Sequence, residues 1–155
     1  MNNTKTLAWL SLLAASCAVS PAGLAAPCAG TNINSTQTWS PSEVVKGVQV
    51  AIVKIASVIV SDDPSAPFHL ISGECVASLV LGADGKTTSG SGYCVRKDKD
   101  GDTVNEEFTI TSPGKGTSKV AGGTGKFANS SWTYSWQLRP LHRPLAAVRW
   151  TGDCR

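Results

Sequence analysis

The sequence predicts an all-β fold, an antiparallel β-barrel of about eight strands, with a β-sandwich as the alternative packing of the same strands. Three observations predict it. Short runs rich in Val, Ile, Thr and aromatic residues are separated by turn signals every ten or so residues. In the longest apolar run, Val44 to Val60, β-branched residues dominate and no helix cap is evident. An even number of cysteines follows an apparent leader, as in small oxidised domains.

Residues 1–25 read as a secretory leader. Lys5 supplies its positive charge and Leu7 to Ala15 its apolar core, which is too short for a stop-transfer helix. Gly23 and Ala25 give the small side chains that precede a cut after Ala25. Leu12 to Cys17 also resembles a lipoprotein signal with Cys17 as the anchored residue, but Ala14 stands where a larger aliphatic side chain is usual. The cut after Ala25 is therefore preferred, leaving residues 26–155 as one domain of ordinary size.

Lys5 departs with the leader, so 13 of the 14 basic residues face 11 acidic ones, a net charge of +2. That balance is too mild, and too scattered, for nucleic acid. No second apolar segment reaches membrane-spanning length without charge, since Lys46 and Lys54 interrupt Val44 to Val60. The expected product is exported to the periplasm or the exterior, without a membrane span.

The strands follow in order. Residues 26–42 are small, polar and turn-rich and read as an irregular lead-in pinned by Cys28. Val44 to Val60 reads as strand. Glu74 to Leu81 and Lys86 to Arg96 form a hairpin about the turn signal Asp84-Gly85. Thr103 to Thr111, Thr117 to Ala121, Ser130 to Leu138 and Leu145 to Thr151 follow, while the two prolines of Arg139 to Pro144 argue against strand there. In an unbulged hairpin, Cys75 and Cys94 lie nine residues either side of the turn and face each other, so they can be bridged. That leaves Cys28 to join Cys154 across the ends of the domain. Zinc is the other use of four cysteines, but no CxxC spacing is present.

Gly73-Glu74-Cys75 with Gly92-Tyr93-Cys94, then Asp98 to Asp102, then Gly122-Gly123-Thr124-Gly125-Lys126-Phe127, together resemble small secreted bacterial proteins of unassigned role. The last segment is also similar to a turn of plant allene oxide cyclases and dirigent proteins. The resemblance covers about residues 60–137 and implies an eight-stranded barrel with an apolar cavity. It departs after Phe127, where Ala128-Asn129-Ser130 replaces a further glycine. No catalytic residue of the cyclases maps here by motif, and fold alone does not give activity.

Candidate sites follow from faces. Trp132, Tyr134 and Trp136 share one face of their strand and Phe108 points inward from another, so these four are the candidate lining for a small apolar ligand. Glu106 shares the inward face of Val104, Phe108 and Ile110. Burial there would favour its protonated form and suit proton transfer, unless a bulge near Asn105 turns it outward or Arg149 pairs with it. Asp98, Asp100 and Asp102 gather carboxylates that suit calcium, although the glycine and acid positions of an EF-hand are missing. No other cofactor is implied. Gly122 to Lys126 lacks the Ser or Thr of a phosphate loop and reads as a turn. His69 and His142 read as loop residues, and no GxSxG elbow accompanies them. A binding barrel for a small apolar molecule is the leading expectation, ahead of a cyclase-like isomerase using Glu106 and of a structural or interaction domain.

Overall fold

A computed structural model describes residues 26–154. The expected leader, its cut after Ala25 and the lipidation alternative at Cys17 lie outside the described residues. Eight strands form one closed antiparallel barrel, β1 (Ala26–Val45), β2 (Val48–Ser61), β3 (Ile71–Leu81), β4 (Thr87–Lys97), β5 (Thr103–Ser112), β6 (Lys115–Gly123), β7 (Ser131–Pro140) and β8 (Leu145–Cys154). Each strand pairs with the next, and β8 returns to β1. The barrel alternative is thus the one adopted, and closure leaves no open sheet edge along most of its length. Among the described residues no helix is long and apolar enough to cross a membrane.

Two expectations near the N-terminus are corrected. The lead-in is strand β1, and Val44 to Val60 is a hairpin broken at Lys46-Gly47, where Gly47 takes a φ of +79°. The inward side chains of β1 include Asn32 and Asn34, which face the barrel interior opposite Ile59 and Ser57 of β2. Polar residues at inward positions erase the alternation by which a strand is read. β7 also runs two residues further than expected, to Pro140, pairing Arg139 and Pro140 with Ala147 and Ala146. Pro140 is tolerated as the last residue of its strand, where the ladder ends.

Cys75 and Cys94 are paired across β3 and β4 and bridged, with Cα atoms 4.0 Å apart. Their register is the expected one, but the hairpin is not unbulged. The tight turn pairs Leu81 with Thr87, and one extra residue, Thr88, restores the pairing of Val80 with Ser89. Cys28 and Cys154 form the second disulfide, Cα atoms 5.8 Å apart, tying the first strand to the last.

The interior has three levels. Phe68 from the β2–β3 loop and Phe127 from the short 3-10 turn Gly125–Phe127 close one end. With Trp132, Tyr134, Trp150, Ile59, Ile71, Val104 and Val120 they form a dense plug, in which the remaining void is about 10 Å³. That is barely one water. The middle level is polar and centres on Arg96 and Glu106. The far level is walled by Ala51, Val53, Ala77, Leu79 and Leu81. Glycine makes room for the large rings. Gly92 pairs with Phe108 and Gly116 with Trp136. A Cβ on Gly116 would lie 2.2 Å from Trp136 Cζ2 and 2.3 Å from the Thr109 carbonyl oxygen, so only glycine lets that ring cross over the neighbouring strand.

Candidate functional site

Above the polar level the barrel is hollow. The cavity measures about 270 Å³ and opens toward the end that carries the β1–β2, β3–β4, β5–β6 and β7–β8 turns. Its walls are apolar: Val53 and Ile55 from β2, Ala77 and Leu79 from β3, Phe108 and Ile110 from β5, Trp136 from β7 and Val148 from β8. Trp39 of β1 stands at the rim, 48 % exposed. The cavity exceeds the roughly 150 Å³ that holds one benzene ring and falls just short of the roughly 300 Å³ at which drug-sized pockets begin.

The floor is built from side chains that the pleat aims inward. Arg96 of β4 and Glu106 of β5 form an ion pair, with side chains only 2 % and 3 % exposed. The guanidinium also donates to Ser57 Oγ at 3.3 Å and approaches Cys75 Sγ at 3.6 Å. Tyr134 Oη donates to Glu106 Oε1 at 2.5 Å from the plug side, while Arg96 takes Oε2. Both carboxylate oxygens are therefore engaged. Burial pushes the Tyr134 phenol far above its ordinary range, and the neighbouring Glu106 charge adds to the rise. Among the described residues, the buried Arg96 Nε, Asn32 Oδ1 and Asn34 Oδ1 have no hydrogen-bond partner.

The predicted site residues separate in depth. Phe108 and Trp136 line the cavity, and Glu106 lies in its floor. Trp132 and Tyr134 do not line it. They are packed in the plug, where Trp132 lies 5.5 Å from Phe68 and Tyr134 5.4 Å from Trp150, centroid to centroid. The stripe from Trp132 to Trp136 advances roughly 13 Å along its strand at about 3.3 Å per residue, so a shared face spans several depths.

Glu106 keeps its inward face because the β5–β6 bulge puts the extra residue on β6, at Ala121-Gly122, and not on β5. Its partner is Arg96; Arg149 instead holds Asp62 on the outer surface, Nη1 to Oδ1 at 2.7 Å. Arg96, Asn32 and Asn34 were missed by sequence reading. Arg96 alternates with Cys94 on β4, and that inward phase is the signal that would have found it.

The aspartates Asp98, Asp100 and Asp102 brace a turn. Asp98 Oδ1 accepts the backbone N–H groups of Asp100 and Asp102 at 2.8 and 2.9 Å, and the Lys126 ammonium contacts Asp98 Oδ2. That ammonium holds the Asp98 carboxyl below the usual carboxylate range. Among the described residues no group of three or more Asp, Glu, His or Cys side chains is arranged to hold a metal ion. His69 Nδ1 lies 3.1 Å from the Ser61 carbonyl oxygen at the plugged end, and His142 is an exposed turn residue. A wider concavity, about 730 Å³, lies at the plugged end beside Pro27, Asp62 and Cys154. It is bordered by the β2–β3 loop and the outer end of the plug, whereas the cup lies within the barrel and is walled by inward side chains, so the cup is the candidate site. Comparison with known proteins finds no matching family model and no matching curated protein.

Proposed function

We propose that this chain is an exported barrel that binds a small, mainly apolar molecule in its cup. The observation that carries the reading is the 270 Å³ cavity itself, walled by aliphatic and aromatic side chains inside an otherwise packed barrel. An apolar occupant of such a cavity would take its walls out of water and be favoured through that burial. Two disulfides suit an oxidising compartment, periplasmic or extracellular. The likeness of Gly122 to Phe127 to the turn of allene oxide cyclases and dirigent proteins points the same way.

A cyclase-like isomerase is the second reading, because Glu106 lies in the cavity floor. Holding is favoured over turnover, since Arg96 and Tyr134 occupy both Glu106 oxygens and a proton transfer would have to break that pairing. An interaction domain with a filled core is disfavoured by the hollow cup.

Native mass spectrometry of the mature protein from an oxidising compartment tests the reading. The expected result is an added mass that leaves on denaturation and is lost in Leu79→Trp, which fills the cup. No added mass, together with no uptake of a small apolar fluorophore, would remove the binding reading.

A further inference from the structure

We propose that the open end of the barrel docks on an anionic phospholipid bilayer. The proposal goes beyond the binding reading and needs no occupant in the cup. Under that reading, docking brings the mouth of the cup to the lipid, a reservoir of small apolar molecules.

The first observation is an apolar rim that the fold leaves uncovered. Trp39, Val44, Val45, Leu141 and Leu145 are each between 44 % and 61 % exposed, and all belong to the mouth end. The pairing of β1 with β8 ends at Ser35 and Leu145, so the rest of β1 runs on past β8 and carries Trp39, Val44 and Val45 with it. Neighbouring turns touch. The Thr36 N–H donates to the Pro144 carbonyl oxygen at 3.1 Å, and the Leu138 N–H to that of Gly114 at 2.7 Å. A Cβ on Gly47 would lie 3.5 Å from the Cβ of Ala83. The four turns thus follow one another in an arc through β1. Exposed apolar side chains gathered in one place and bordered by polar ones mark an interaction surface.

The second observation is charge, scattered along the sequence but sorted by the fold. At the mouth, Lys46, Lys86, Lys115, Arg139 and Arg143 stand against Glu43 and Asp84, five against two, a net of +3. The three turns at the plugged end carry five aspartates against Lys99 and Lys126, a net of −3. Six basic side chains form no ion pair among the described residues, and Lys46, Lys115, Arg139 and Arg143 are four of them. Unpaired cations beside exposed tryptophan and aliphatic side chains suit an anionic bilayer, whose headgroups attract the charge while the interface takes the apolar tips. The acidic end of a second copy is the rival occupant. Its Asp62, Asp98 and Asp100 are already paired with Arg149, Lys126 and Lys99, which favours the bilayer.

Co-sedimentation of the mature protein with vesicles tests this, using phosphatidylcholine alone and phosphatidylcholine mixed with phosphatidylglycerol. Binding is expected to the mixed vesicles only, and salt should release it. Each basic residue near an anionic surface is worth about fivefold in binding, so Arg139→Gln/Arg143→Gln should weaken it about 30-fold. Trp39→Ser should also weaken it, through the lost apolar tip. Lys97→Gln/Lys119→Gln removes the same charge away from the mouth and should change binding less than about threefold. All four of these basic side chains are exposed and outside any ion pair among the described residues, so both variants should fold, and circular dichroism checks it. Equal loss in the two double variants, or equal binding to the two kinds of vesicle, overturns the mouth as a surface for anionic lipid. No binding to the mixed vesicles, with or without self-association in sedimentation velocity, overturns it as well. The added mass in native mass spectrometry judges the cup separately.

Discussion

Glu106→Gln is the substitution that most directly probes the centre of this barrel. It keeps the size of the side chain and an oxygen for the Tyr134 hydroxyl, but removes the charge that Arg96 faces. The guanidinium is 2 % exposed and, among the described residues, has no second anion beside it; its other contacts are the neutral Ser57 and Cys75. Leaving one member of a buried ion pair uncompensated costs about 3–5 kcal/mol. Domains of this size are stable by about 5–15 kcal/mol, so the loss is a large fraction of the whole. With a urea slope of about 2 kcal/mol/M, the unfolding midpoint should fall by roughly 2 M. The double variant Arg96→Met/Glu106→Leu removes both charges and should recover part of that loss, because apolar replacement of a buried pair is commonly neutral or better, while the buried Tyr134 hydroxyl loses its acceptor at about 1–3 kcal/mol. Equilibrium urea unfolding followed by tryptophan fluorescence measures all three proteins. A cost below about 1 kcal/mol for Glu106→Gln would refute the reasoning, since it would mean that water reaches and solvates the guanidinium.

Two further outcomes follow from the same structure. The folded-state pKa of Tyr134 is raised, so the neutral phenol contributes stability that is present below its unfolded value near 10 and lost as pH rises above it. Between about pH 10 and 12 that group should cost about 1.4 kcal/mol of stability per pH unit, and Tyr134→Phe should flatten the slope; an identical slope in the variant would show that another group carries it. Replacing Cys28 and Cys154 by alanine opens a loop of 126 residues and should cost about 4–5 kcal/mol in the chain-entropy account. The same change at Cys75 and Cys94 opens a separation of only 19 residues and should cost about 3 kcal/mol, so a reversed order in urea unfolding would count against loop entropy as the source.

Much of the barrel was legible because turns and outward polar residues punctuate β3 to β8. The Cys75–Cys94 pairing was legible from the symmetry of the turn because the Thr88 bulge offsets the pairing of Gly82 with Lys86. β1 was not legible. A strand is recognised by the apolar side chains it buries, and β1 buries Asn32 and half-buries Asn34. The residues that hid the strand are those whose buried oxygens lack partners in the cup floor. Likewise, Trp132, Tyr134 and Trp136 were legible as one face but not as two environments, because alternation reports direction and carries no information on depth. Arg96 was not legible as an inward residue because a lone arginine in a strand ordinarily faces outward.

The middle layer is hard to account for as a source of stability alone. A buried ion pair is weak evidence for stability, because desolvation offsets most of the attraction, and an apolar pair of similar volume would hold the strands as well. Arg96 nevertheless reaches from β4 to Glu106 on β5, Ser57 on β2 and Cys75 on β3, so one side chain caps the plug across four strands. Below it the rings pack with almost no void; above it the walls are aliphatic and aromatic and the space stays open. An apolar midplane would cap the plug equally well but would leave a uniformly greasy cup, able to discriminate occupants only by shape. The charged pair, with the Asn32 and Asn34 amides beside it, gives the cup one end that differs from the other. Under the binding reading proposed above, an occupant would present any polar group downward and its apolar body to the walls. Orientation is what an ion pair supplies here and an apolar core cannot, and it is the reason to expect that Arg96→Met/Glu106→Leu, though stable, accepts apolar probes without regard to their head group.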